Sequence, residues 1–163
     1  MNASSDSRLE IARRAAAEHG YDLDEPVLAG GRYAGSVEHE GIVCISGQVP
    51  RIGTAVVATG RVGDSVSLAA ARAAARICTL RALAIVHQRH GLDRVQRLLR
   101  VNVYVRSDPT FTQHSEVADA ASDLLAAVFG AEAGAHARTS VGVYTLPKDA
   151  AVELDLTLAL IRP

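Results

Sequence analysis

The stretch Ala135–Leu156, AHARTSVGVYTLPKDAAVELDL, decides the fold. Its two halves, RTSVGVYTL and AVELDLTLALI, alternate apolar and polar residues as half-buried strands do, and the PKDA between them reads as a turn. Arg138 stands at the mouth of the first strand and Glu153 at the start of the second. Taken singly, charged residues on strands face water. Taken together, a guanidinium that binds carboxylates in a bidentate fork and a carboxylate that holds or deprotonates water make a reactive pair. Strands joined by a short turn run in opposite directions, so the two strand beginnings are expected at opposite ends of the sheet, on the order of 20 Å apart. A shared site would then have to be built across a subunit boundary, which calls for an oligomer.

Outward from that stretch the chain alternates strands and helices. The segment SDSRLEIARRAAAEHG carries its own punctuation, a capping box from Ser7 to Glu10 and a stop at Gly20. Its short stripe of Leu9, Ile11, Ala12, Ala15 and Ala16 suits a helix leaning on the main domain, with a polar linker after it. RYAGSVEHEGIVCISGQVP reads as a hairpin and GTAVVATGRVG as a third short strand. The alanine-rich run SVSLAAARAAARICTLRALAIVHQRHG reads as a long helix capped by Asp64 or Ser65 and ended by Gly91. In VNVYVR, Val101, Val103 and Val105 face one way and Asn102, Tyr104 and Arg106 the other. A second long helix opens at Ser-Asp-Pro and closes at Gly130. This order predicts α+β packing, a sheet with helices on one face. Residues 1–31 form an N-terminal helix and linker, and residues 32–163 the domain.

Composition narrows the function classes. The 163 residues suffice for one domain with a real core, at 48% hydrophobic and 21% charged. A net charge of -1, no Trp, four Tyr and two Phe argue against a nucleic-acid partner, which normally leaves a basic footprint and stacking aromatics. No apolar window is long enough to span a bilayer and the N-terminus is no signal peptide, so a cytoplasmic location is expected. Cys44 and Cys78 lie in apolar runs and read as small buried hydrophobes. The glycines of GGRYAG lead into a strand, not a helix, and read as turn residues. His87 and His90, three apart, lack a third metal ligand at suitable spacing, and no metal site is expected. His114 and His136 flank the ARTS region with no evident serine or cysteine partner.

The motifs GIVCISGQVP (41–50), VNVYV (101–105), ARTSVGVYTLP (137–147) and AVELDL (151–156) resemble the RidA/YjgF family of small trimeric enamine and imine deaminases. The resemblance covers residues 32 to 161. It implies a chorismate-mutase-like fold, a mixed six-stranded sheet backed by two helices, in a homotrimer around a central barrel with clefts between subunits. It places the substrate-carboxylate arginine on Arg138 and the water-orienting glutamate on Glu153. Tyr33, Ser46, Gly47, Phe111 and Ser140 would line the cleft, although Arg32 stands where the family has proline before the tyrosine. The implied reaction is hydrolysis of 2-enamino or 2-imino acids to 2-keto acids and ammonia, with no cofactor. The partner would be a small carboxylate-bearing imine, enamine or keto acid. Two other readings are a non-catalytic carboxylate-binding or regulatory trimer and an endoribonuclease, a label the family has also carried. The N-terminal segment resembles that of a longer subgroup and would be able to cover or narrow the cleft.

Overall fold

The computed structural model describes residues 7–162. Helix α1 (Arg8–Glu18) begins with the expected capping box: the Ser7 side chain accepts the Glu10 N–H and the Glu10 carboxylate accepts the Ser7 N–H. Its Ala12 and Ala16 are buried against helices α2 (Leu68–His90) and α3 (His114–Ala133). Arg8 fastens its N-terminal end by donating to the carbonyls of Leu92 and Val95.

Seven strands follow in two groups. Strands β1 (Ser36–His39), β2 (Ile42–Gln48), β5 (Val95–Arg106), β6 (Ala137–Val143) and β7 (Val152–Leu160) form one sheet in the order β1-β2-β7-β5-β6. Strands β3 (Arg51–Ile52) and β4 (Ala55–Val56) pair only with each other. The expected six-stranded sheet is therefore five-stranded. The third short strand folds back on a two-residue neighbour instead of reaching the main ladder, too short to show in the alternation. The hairpin β1–β2 turns on Glu40 and Gly41, both at positive φ, which suits the tight turns that match strand twist.

The sheet is mixed: β5 and β6 are parallel and every other neighbouring pair is antiparallel. Helix α3 makes the crossover that a parallel pair requires. Strands β6 and β7 do run oppositely, but β5 lies between them. The short connection through Pro147–Asp149, where Lys148 and Asp149 adopt positive φ, thus spans β5 instead of closing a hairpin.

Both long helices cover one face. Val43, Ile45, Val101, Val103, Val105, Leu154, Leu156 and Leu158 are buried beneath them, and each buried Val or Leu contributes roughly 1.5–3 kcal/mol. From Ile77 to Val86 every residue of α2 is buried, which explains why its apolar spacing follows no single stripe. Ser67, not Asp64 or Ser65, caps α2 by accepting the Ala70 N–H. Helix α3 starts at His114, several residues past the Ser-Asp-Pro signal, because Asp108 closes a side-chain turn on Thr110. It kinks at Gly130 and runs on to Ala133. The opposite sheet face carries Asn102, Tyr104, Thr139, Val141, Glu153, Asp155 and Thr157, half-buried or exposed. Cys44 is exposed on that face beside Thr157, contrary to the buried reading; Cys78 is fully buried.

Candidate functional site

Glu153 projects from β7 onto the open sheet face, level with Tyr104 of β5. Alternation puts Val152 and Leu154 into the core and leaves the carboxylate between the strands' exposed side chains. Its seat is made by Gly47. The ladder slips between Ile45 and Gln48 of β2, and a Cβ at residue 47 would overlap Glu153 Oε1. Burial pushes the Glu153 carboxyl above the ordinary glutamate range, and the neighbouring Asp155 charge pushes it further the same way. Asp155 itself is held by Asn102 Nδ2 at 2.8 Å.

Arg138 does not join Glu153 within the chain. In the register, Arg138 is level with Val101 and Leu156, whereas Glu153 is level with Tyr104. Three residue levels and two strand spacings put their backbones on the order of 14 Å apart. The stronger separation is of faces. Arg138 turns toward the helices, where its Nη1 donates to Asp119 Oδ1 at 2.8 Å and Ser122 Oγ at 3.0 Å on α3. The sheet itself stands between arginine and glutamate, so the obstacle is not the opposite-ends geometry expected from the turn.

Behind Arg138 lies a short polar relay. Ser122 Oγ is 2.9 Å from His136 Nε2, and His136 Nδ1 is 2.7 Å from the Gly134 carbonyl. A carbonyl only accepts, so Nδ1 carries a proton; with a neutral ring Ser122 donates to Nε2 and accepts from Arg138. His114 likewise has a serine partner, Ser107 Oγ at 3.0 Å from Nε2. The expectation that neither histidine has a serine beside it is thus corrected. Both serines come from parts of the chain that sequence spacing does not connect to a histidine. His87 and His90 face different acids, Asp24 at 3.3 Å and Glu38 at 3.4 Å.

Ser140 and Gly142 follow Arg138 on the same side of β6. A Cβ at residue 142 would lie 2.6 Å from His114 Nε2, so glycine gives the ring its place. Phe111 meets the His114 ring edge-on at 5.2 Å and packs over Gly63, in the turn before α3 and not on the helix itself. Tyr33 and Ser46 lie elsewhere, at the β1–β2 end of the sheet. Tyr33 is half-exposed and its hydroxyl accepts the Gly30 N–H at 3.2 Å. Ser46 Oγ donates to the Ala34 carbonyl at 2.7 Å and so secures the loop that carries Tyr33. The predicted residues therefore fall into two groups. Glu153, Gly47, Ser46 and Tyr33 lie toward β2, and Arg138, Ser140 and Phe111 lie along β6 and α3.

The sequence pattern of the family described as "YjgF/chorismate mutase-like, putative endoribonuclease" matches residues 12–158. The chain belongs to the RidA/YjgF family. It is also 40% identical over 156 residues to Protein TCP17 of Trypanosoma cruzi, covering 82% of this chain and 98% of that one. Among solved structures, Atu1372 of Agrobacterium tumefaciens, described as of unknown function, superposes with a TM-score of 0.82 at 30% identity, covering 95% of this chain and 96% of that one. The YjgF gene product of E. coli superposes at 0.54 with 20% identity, over 87% and 97% of the two chains. The RidA/YjgF fold is thus present as a mixed sheet with three helices.

Three residues, Asp155, Asp119 and Ser122, escaped the sequence reading. Asp155, two residues past Glu153, had a usable signal, since the spacing in VELD puts both carboxylates on one face. Asp119 and Ser122 had none, because only the α3 crossover brings them to Arg138.

Proposed function

We propose that this protein hydrolyses 2-imino and 2-enamino acids to 2-keto acids and ammonia, in clefts completed by a second and third copy of the chain. The observation that carries this reading is the seat of Glu153, a half-buried carboxyl with a raised pKa aimed over a glycine. Such a group holds a water and both takes up and gives back protons more readily than an ordinary glutamate.

Arg138 complements it from a neighbouring subunit. It lies on the edge strand β6, at the boundary of the molecule, where the guanidinium can meet a ligand seated beside another copy's Glu153. The substrate carboxylate displaces Asp119 as its partner, a charge-for-charge exchange that keeps the cation paired. An enamine first tautomerises to the imine. Water held by Glu153 then adds to the imine carbon, giving a proton to the carboxylate, which passes it to the nitrogen to form a carbinolamine. Glu153 then takes the carbinolamine hydroxyl proton and delivers it to the amino nitrogen as the C–N bond breaks, so that the C=O forms and ammonia leaves the 2-keto acid. The fixed cation and the backbone N–H groups around Gly47 stabilise the charge that develops.

A second reading, a carboxylate-binding trimer without turnover, draws on the Arg138–Asp119 pair, which satisfies the arginine without a substrate. The endoribonuclease reading is disfavoured by the net charge of -1 and by Glu153 and Asp155 together on the open face, which repel phosphates. The test is turnover. Imino acids generated in situ by an amino-acid oxidase are trapped with semicarbazide, and the wild type is compared with Arg138→Ala and Glu153→Ala. Faster imine loss is expected for the wild type alone, with losses of at least about a hundredfold in either variant. No acceleration with any imino acid would put the binding reading first.

A further inference from the structure

A cavity of about 680 Å³ lies outside the Glu153 and Arg138 groups, between the linker after α1, the β3–β4 ribbon and α2. Its lining includes Arg81, Arg51, Lys148, Tyr21, Leu28 and Val56. The linker is held over α2 by Gln88 Nε2, which donates to the carbonyls of Leu23 and Glu25.

Arg81 is the anomaly. It is 8% exposed and sits in the stretch of α2 that is buried all round. Arg81 Nη1 donates to the Arg51 carbonyl over a long 3.4 Å, and its Nε and that of Arg51 are both buried without a partner. Arg106 Nε is buried without a partner as well, but what sets Arg81 and Arg51 apart is that other arginines have a carboxylate or close carbonyl partners. Arg138 and Arg106 pair with Asp119 and Asp149, and Arg8 donates to two carbonyls at 3.0 and 2.7 Å. Among the described residues no carboxylate pairs with Arg81 or Arg51. Glu25, exposed on the cavity rim, is the one acid in the lining, against three cations. Burial weakens the hold of Arg81 on its proton and the Arg51 charge adds to it, only partly offset by Tyr21 and Glu25. Buried cations left without counter-charge are costly, and an entering anion removes that cost.

We propose that this cavity binds a small organic anion, its carboxylate or phosphate held by Arg81, Arg51 and Lys148 and its apolar part lying on Tyr21, Leu28 and Val56. The volume is that of an ordinary small-molecule site. A guanidinium pair matches the planar edge of either oxyanion, and the partly dry setting strengthens the contact. The site does not depend on the deaminase reading. It adjoins that region, however, since a smaller pocket lined by Arg51 and Arg81 also touches Tyr33 and Gly47.

The test is calorimetric titration of the full-length protein with benzoate and with phenyl phosphate, against chloride at matched ionic strength. At least one probe is expected to bind, and whichever does so identifies the oxyanion. Arg81→Gln and Arg51→Gln should each weaken binding by at least about tenfold, while Arg97→Gln, an exposed position outside the cavity, leaves it unchanged. If Arg81→Gln does not fold, as judged by circular dichroism, the half-buried Arg51→Gln decides. No heat beyond chloride, undiminished binding in the Arg51 variant, or an equal loss of binding in Arg97→Gln would each overturn the proposal.

Discussion

Glu153 is a carboxyl whose surroundings favour its neutral form, and this gives it a measurable signature. Its pKa is raised from the ordinary 4.5 by burial first and by Asp155 second. As pH rises, the unfolded chain therefore gives up this proton before the folded chain does. Below the ordinary value both states are protonated and the group contributes nothing; above it, stability falls until the raised folded value is passed. Glu153→Gln removes this dependence. The variant is expected to melt above the wild type at about pH 8, with the difference vanishing toward about pH 4. A gap of constant size across that range, measured by thermal melts, would show that the charge of Glu153 is not the cause. At the same scale, Gly47 was visible as a motif residue, but its reason was not: only the slipped β2–β7 register brings the Glu153 carboxylate onto it.

Elements carry their own predictions. Ser67 accepts the Ala70 N–H at the start of α2, so Ser67→Ala should cost about 1 kcal/mol in denaturant unfolding. Asp64→Ala, at the position the sequence offered as a cap, should stay within about 0.5 kcal/mol. The reverse ranking would mean that α2 begins earlier than described. The periodic elements were legible because their residues state their own period: Val101, Val103 and Val105 turn inward, and Ser7 with Glu10 starts α1. Strand order was not legible. PKDA is short enough to suggest a hairpin, and nothing local reveals that β5 enters between β6 and β7. For the same reason the sequence placed Arg138 and Glu153 apart by strand ends, whereas alternation on separate strands places them on opposite faces. The pair Arg51–Ile52 was too short to announce β3, and with it went the sixth position in the sheet.

At the scale of the whole molecule, one sheet face lies under two helices and the other presents a row of half-buried and exposed polar and small apolar side chains. Glu153 belongs to the second face and Arg138 turns toward the first, on the edge strand. A single copy cannot bring them to one substrate; in the proposed closed ring of copies, every cleft would receive one of each. The most direct test mixes Arg138→Ala and Glu153→Ala proteins, each inactive alone, after co-refolding or co-expression. In a trimer assembled at random from equal amounts, each cleft draws its arginine from one copy and its glutamate from another, so about a quarter of clefts are intact. The mixture is expected to recover about a quarter of wild-type imine hydrolysis. A mixture as inactive as its components, with mass measurement confirming mixed oligomers, would contradict a site shared between subunits.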